Sequence, residues 1–453
     1  MLRPGATMKN ENLSSGTTST PQSSLSKTGE PVWRLKKGMD RRFRSGHPWV
    51  YSNELDSSPK GIEPGAPVEL RDATGQFLAR GYGNPSSLIS FRALSRDPME
   101  AAPWSAEGVL ARLREAGAVR AALGLSGVSF RLCFGEADQI PGLIIDRYRL
   151  EAAQASQCYV IQAHTAGADR LLPMVRLALD QLISEGEIPI ERSSLVLRND
   201  IAMRTLDGLT ESEPEVLRQG KGVDLAKARI RMSPSHGNDP IIFEVDLIKG
   251  QKTGFFLDQS ANTRLFANTW KPQGKETIRI LDLCCYAGQW SSQLALALQA
   301  RGHAVEVVLF DASSPALDMA RRNVGAVGVQ KVEKIQGDVL KDLTKIEASS
   351  FDIVISDPPA LIKGRKNIPT GTHAYLQLNT QVFRIVKTGG AVICCSCSSL
   401  LEEDSFLQTL SKAAMRNQRR VRWVASGGQA GDHPVLAEFP EGRYLKAWMG
   451  VVR

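Results

Sequence analysis

The chain has 453 residues, enough for two or three domains and too many for one ordinary hydrophobic core. Lys and Arg number 56 against 48 Asp and Glu, a net +8 that suits a polyanionic partner without naming one. Seven cysteines, odd in number and clustered in apolar runs, exclude a disulfide framework and imply a reducing, cytoplasmic setting; Cys and His spacings suggest no zinc site, and no apolar run of about 18 residues suggests a membrane span.

Residues 1–30 are rich in Ser, Thr, Gly and Asn and lack an apolar or Arg-rich amphipathic stretch, so they read as a disordered tail and not a targeting signal. Short strands at 49–51, 67–70, 77–82 and 88–92, broken by Gly and Pro, predict a small β-barrel over 31–100. Between Pro31 and Lys60 seven basic residues (Arg34, Lys36, Lys37, Arg41, Arg42, Arg44, Lys60) face three acids (Asp40, Glu54, Asp56), so half of the net charge lies there. Such a barrel could grip phosphates and stack bases on Trp49 and Tyr51, although for Trp49 a place in the small core is the more ordinary fate.

A helix over 106–122, strands at 129–134 and 143–146, a helix over 167–184 and a strand at 194–198 predict an α+β middle domain over 101–238. The turn-forming Gly237-Asn-Asp-Pro would close it. From 239 to 453 strands (278–283, 304–310, 332–335, 351–356, 391–395) alternate with helices (290–300, 315–324, 379–386). That alternation predicts an α/β fold whose mostly parallel sheet is covered on both faces.

Ligands of such sheets gather beyond the carboxyl ends of the strands. Asp282, Asp311 and Asp338 fall at three of those ends. Asp282 runs into a tight turn at Gly288, Asp311 is placed to accept ribose hydroxyls, and Asp338 to meet an adenine amino group. Because no G-x-G-x-x-G opens the first turn, a nucleoside without phosphates fits better than a dinucleotide, S-adenosylmethionine being the obvious one.

Two reactive elements end neighbouring strands: Ser356-Asp-Pro-Pro-Ala and Cys394-Cys-Ser-Cys-Ser. A carboxylate fixed by two prolines beside a thiol suits chemistry on a flat polar ring. Carbon 5 of cytosine is too weak a nucleophile to take a methyl group unaided, and a thiolate added at carbon 6 turns the ring into an enamine-like nucleophile. On a strand Cys395 and Cys397 share a face while Cys394 points into the core. Asp357 would hydrogen-bond the base at N3 and N4, and Lys363, Arg365 and Lys366 form a basic loop just beyond, suited to RNA phosphates or simply to solvent.

Four tracts, Lys252-Thr-Gly-Phe-Phe-Leu-Asp-Gln, Asp282-Leu-Cys-Cys-Tyr-Ala-Gly, Asp311-Ala-Ser-Ser-Pro-Ala-Leu and Asp357-Pro-Pro-Ala, resemble the class I S-adenosylmethionine-dependent methyltransferases of large-subunit ribosomal RNA. With Cys-Ser-Cys-Ser added, the chain resembles the branch that makes 5-methylcytosine and carries an N-terminal PUA domain. Gly46-His-Pro-Trp-Val-Tyr, Phe134-Gly-Glu-Ala-Asp-Gln-Ile-Pro-Gly and Pro440-Glu-Gly-Arg-Tyr-Leu-Lys extend the likeness from about Val32 to the last residues. Ser260 stands where that family usually has Arg, and Gln289-Trp290 replaces Gly-Phe.

The resemblance implies that Cys397 is the nucleophile, with Cys395 its rival, and that Asp357 serves the base. It also implies that S-adenosylmethionine lies among Lys252, Thr253, Phe255, Asp258, Asp282, Tyr286, Gly288, Asp311, Ala312, Ser313, Asp338, Asp357 and Pro358. Its expected partner is large-subunit ribosomal RNA with the target base unstacked, in the cytoplasm, with a homodimer possible. Two other readings stay open: methylation of a guanine or other nitrogen without a thiol, and a non-catalytic RNA-binding or ribosome-assembly protein.

Overall fold

The computed structural model describes residues 25–26, 28–57, 61–152, 154–274 and 277–453. Most of the expected tail (1–24 and 27) and Lys60 of the basic segment lie outside these residues. Five short strands form the first sheet, in the order Val32–Arg34, Ala66–Arg71, Phe77–Gly83, Ile89–Ser95 and Trp49–Tyr51. Their inward residues Trp33, Val50, Val68, Leu70 and Phe91 meet Leu35 and Phe43 in one small core.

Trp49 is not in that core, contrary to the expectation for it, because strand alternation turns it away from Val50. Its indole N–H donates to Glu136 at 2.7 Å, Phe439 meets its ring edge-on, and the Arg92 guanidinium lies 5.0 Å over its face. Three separate parts of the chain therefore meet at one half-buried indole. Nearby, Tyr82 crosses into the middle domain and its hydroxyl bonds the Pro141 carbonyl. A Cβ on Gly167 would fall 2.0 Å from the Tyr82 ring, so only glycine admits this contact.

The middle sheet runs Glu215–Arg218, Ser193–Leu197, Ser156–Ala163, Leu143–Leu150, Ala228–Met232, Ile241–Val245, with Phe130–Phe134 paired to Leu143–Leu150. Helices Ala106–Ala122 and Ala166–Ser184 cover one face around Leu113, Ile145, Tyr159 and Val175. The other face, with Tyr148, Val160, Phe243 and Val245, packs on Phe255, Tyr286 and Ala316 of the last domain. Ile241–Val245 thus belongs to this sheet, beyond the boundary expected at Asn238; its alternating buried pattern pairs it with Ala228–Met232.

The last sheet has seven strands in the order Lys331–Gln336, Ala304–Asp311, Thr277–Leu283, Phe351–Ser356, Val386–Ser396, Lys446–Val452, Val421–Gly427. The first five are parallel, and Lys446–Val452 inserts antiparallel beside Val386–Ser396. Apolar clusters lie on both faces, one with Ile280, Leu294, Val307 and Ile393, the other with Leu281, Phe310, Val354 and Phe383. The helix expected at 379–386 is longer, Ile368–Ile385, and begins at the proline that favours a first turn. Among the described residues no helix is long and apolar enough to cross a membrane.

Candidate active site

Strand register sets the site. Leu283 pairs with Phe310 on one side and Ser356 on the other, and Ser356 pairs with Cys394. The segments that follow, 284–288, 311–313, 357–358 and 395–397, therefore emerge side by side along one edge of the sheet.

The turn after Leu283 is tightly wound, with Cys284 (φ 60°), Tyr286 (φ 45°) and Gly288 (φ 71°) all left-handed. Two of the three carry side chains, so the loop stores strain of the kind found where backbone is shaped around a ligand. The Cys284 N–H donates to the Phe310 carbonyl at 2.8 Å, and the Tyr286 N–H to Asp311 Oδ2 at 3.1 Å. The other Asp311 oxygen takes the Ser313 N–H at 2.9 Å. Each oxygen keeps lone pairs for a further donor.

Asp282 is fully buried; its Oδ2 accepts from the Ser291 hydroxyl at 2.6 Å, while its Oδ1 has no hydrogen-bond partner among the described residues. Burial first, then the charges of Asp357 and Asp311, pushes this carboxyl up to about 7 against the Ser291 bonds. Asp258 behaves oppositely. Burial opposes its ionisation, but Lys252 at 2.8 Å, His433 and the Tyr444 hydroxyl at 2.6 Å hold it well below the usual carboxylate range. The Lys252 ammonium also lies 4.3 Å over the Phe256 ring, which meets Tyr286 edge-on. Converging carboxylates and an orphaned buried acceptor suit a cationic nucleoside, and S-adenosylmethionine fits that donor set.

Several expected cofactor residues are placed elsewhere. Thr253 is fully buried, bonded to Asp146 and, at 2.9 Å, to Tyr148 of the middle sheet, and Phe255 packs against Phe243. Through these contacts both side chains join the catalytic domain to the middle sheet. Gly288 serves packing: a Cβ there would lie 3.0 Å from Val324 and 3.2 Å from Ala320. The Ser313 hydroxyl caps the following helix through the Ala316 N–H at 3.3 Å, leaving Ala312 exposed at the mouth. Asp338 spends its oxygens on its own turn, accepting from Leu340 at 2.9 Å and Lys341 at 3.0 Å. The Tyr286 hydroxyl is locked to 251–254, accepting from Gln251 at 3.0 Å and donating to Gly254 at 2.9 Å.

Beside this half lies a second. Asp357 Oδ2 accepts from Trp290 Nε1 and Gln259 Nε2, each at 2.9 Å. Burial pushes the carboxyl up to about 6, Trp290 restraining it and Asp258 adding to it. Neither donor was assigned from sequence, although Gln259 closes the tract that holds Lys252 and Trp290 marks the departure after the turn. Cys397 Sγ lies 3.9 Å from the Pro358 carbonyl and is half-buried. Burial pushes its thiol up to about 11; Lys252 works against the rise, Asp357 and Asp258 with it.

Cys395 is 1% exposed, in the core with Ile393 and Met449, and Cys394 is buried on the opposite face. The strand ends at Ser396, which frees Cys397 from the alternation that hides its rival. A buried trio of hydroxyls fixes the bend: Tyr375 with Ser396 and Ser398, each at 3.0 Å. The Lys446 ammonium donates to the Ser398 carbonyl at 2.7 Å. Lys363, Arg365 and Lys366 stand exposed beyond Asp357.

Residues 34–96 match the family described as a PUA-like domain, and residues 275–439 a methyltransferase domain. The chain is 33% identical over 429 residues to the "Ribosomal RNA large subunit methyltransferase I" of Photobacterium profundum, covering 92% of this chain and 98% of the relative. The proteins of that name from Aeromonas hydrophila (31%) and Escherichia coli (30%) each align with 91% of this chain and 97% of their own. A structure assigned as a SAM-dependent methyltransferase from Streptococcus mutans superposes with a TM-score of 0.70 over 92% of this chain and 99% of that one, at 15% identity. A methyltransferase structure complexed with SAH gives a TM-score of 0.71 with the same coverage and identity. At that identity the structures speak for the fold alone.

Proposed function

Since the chain belongs to the ribosomal RNA large subunit methyltransferase I family, we propose that it methylates carbon 5 of a cytosine in large-subunit ribosomal RNA through a covalent adduct on Cys397. The observation that carries this reading is the pairing of Cys397 and Asp357 on adjacent strand ends, with Cys397 Sγ 3.9 Å from the carbonyl next to Asp357. The methyl donor is S-adenosylmethionine, held by Asp282, Asp311 and the 284–288 turn, with Lys252 and Asp258 closing the pocket. Bound there, it supplies a methyl group on a sulfonium.

Asp357, ionised above about pH 6, takes the Cys397 thiol proton. Sγ then bonds carbon 6, the ring pairs shift toward N3, and Asp357 returns that proton to N3. Carbon 5 becomes an enamine-type nucleophile and accepts the methyl group. Loss of the carbon 5 proton to solvent restores the double bond as the S–C6 bond breaks, and N3 gives its proton back to Asp357. Trp290 and Gln259 keep the carboxylate aimed at the base throughout, both bonding the same oxygen.

The RNA is held beyond this site. Arg34, Lys36, Lys37 and Arg41 of the barrel are exposed and make no ion pair among the described residues. They suit phosphates, while the target base leaves its stack to reach Asp357. The test is Cys397→Ala together with ribosomal RNA containing 5-fluorocytosine. Wild-type protein should form a stable adduct and the variant neither adduct nor 5-methylcytosine. Methylation retained by the variant would instead favour a nitrogen target, which needs no thiol.

A further inference from the structure

Cys397 presents a physical difficulty, because a thiol at about 11 yields little thiolate at neutral pH. Beneath the bend that carries it lies Lys446, a lysine only 6% exposed. Buried ammonium groups are costly unless paired. Lys446 makes no ion pair among the described residues, and its hydrogen bond goes to the Ser398 carbonyl at 2.7 Å, one residue past the thiol. Strand register puts it there: Lys446 pairs with Ser396 across the antiparallel ladder.

We infer that Lys446 is a positioning residue for Cys397, a buried cation that fixes the bend through the Ser398 carbonyl and stabilises the thiolate that attacks the base. The inference rests on the reading of Cys397 as nucleophile. The charged groups around the pair fit it. From the catalytic side Asp357, Asp258 and the Tyr444 hydroxyl face the thiol, with Lys252 as the opposing cation paired to Asp258. From the helix side Glu402 and Glu403 face Lys446, and Glu403 is already bonded to Arg443 at 2.8 Å. Burial brings the Lys446 ammonium down to about 8, with Cys397 the first charge acting to raise it. With Asp258 still repelling a thiolate after Asp357 has taken its proton, and Lys252 committed to Asp258, a second cation is what the sulfur lacks.

The experiment follows alkylation of Cys397 by iodoacetamide as a function of pH in the full chain, read by mass spectrometry of the Cys397 peptide. At pH 7, where Lys446 is mostly protonated, Lys446→Met should slow alkylation about tenfold, the equivalent of one pKa unit, and Lys446→Arg should restore most of the rate. Folding is checked by S-adenosylmethionine binding. An unchanged alkylation rate at pH 7 in folded Lys446→Met overturns the inference. Should that variant not fold, the reciprocal coupling serves: NMR titration of the Lys446 ε-methylene should show a higher midpoint in Cys397→Asp, which sets a fixed anion in the thiolate's place, than in wild type, and equal midpoints overturn the inference. Failure of the nucleophile reading is separately visible, as methylation retained by Cys397→Ala.

Discussion

Trp290 Nε1 donates to Asp357 Oδ2 at 2.9 Å, joining the first residues of the helix after the 284–288 turn to the carboxylate proposed to serve the base. One bond thus ties the two halves of the site. Trp290→Phe removes the donor and leaves Gln259 alone on that oxygen. The lost bond favoured the ionised form, so the Asp357 carboxyl should titrate higher than about 6. The acid limb of kcat/KM should move to higher pH, with a loss of about tenfold at pH 7, the scale of a hydrogen bond to a charged group. An unshifted acid limb would remove Asp357 from the proton relay.

Asp282 should make stability fall as pH rises. Its carboxyl binds protons more tightly folded, at about 7, than unfolded, near the ordinary 3.8 of an aspartate. Stability from this group is full below pH 4 and is lost progressively up to about pH 7. For a fully buried group the loss is on the order of a few kcal/mol. Asp282→Asn should flatten that slope in urea titrations at pH 5 and pH 8, while Asp258, depressed by Lys252, sets an opposite loss at strongly acid pH.

Arg131 and Asp146 form a bidentate ion pair inside the middle domain, at 2.7 and 2.8 Å, and Asp146 also receives the Thr253 hydroxyl from the catalytic side. Asp146→Asn leaves the arginine buried without its charge partner. The expected cost is about 3–5 kcal/mol in equilibrium unfolding. Thr253→Val should cost less, because the pair itself survives.

Lys36→Gln with Lys37→Gln tests the barrel as the RNA grip. Both lysines are exposed, so folding and S-adenosylmethionine affinity should hold. RNA binding should weaken at low salt, and the slope of log affinity against log salt should become shallower by about two. An unchanged slope would move the grip elsewhere.

The sequence disclosed the order of the strand-end carboxylates and the two reactive tracts because parallel-sheet strands are continuous apolar runs that end in short loops. Amide, hydroxyl and ammonium partners such as Gln259, Tyr375 and Lys446 were hidden, since each reaches the site from a distant element. Thr253 and Phe255 sit in a tract shared with Lys252, yet a left-handed Lys252 (φ 53°) turns neighbours to opposite sides. The long helix over 368–385 was half legible, its polar first turns masking the apolar period. Trp49 was misplaced by residue type alone: the alternation that turns Val50 into the barrel core turns this indole out to where three domains meet.

The insertion of Lys446–Val452 between Val386–Ser396 and Val421–Gly427 has a temporal side. During synthesis the strand that leads to Cys397 is made before its neighbour Lys446–Val452 and keeps an unsatisfied edge until that neighbour arrives. Lys446 and Tyr444 come with that neighbour. The Lys446 bond to Ser398 and the Tyr444 bond to Asp258 can therefore form only after the residues that carry the thiol have been made.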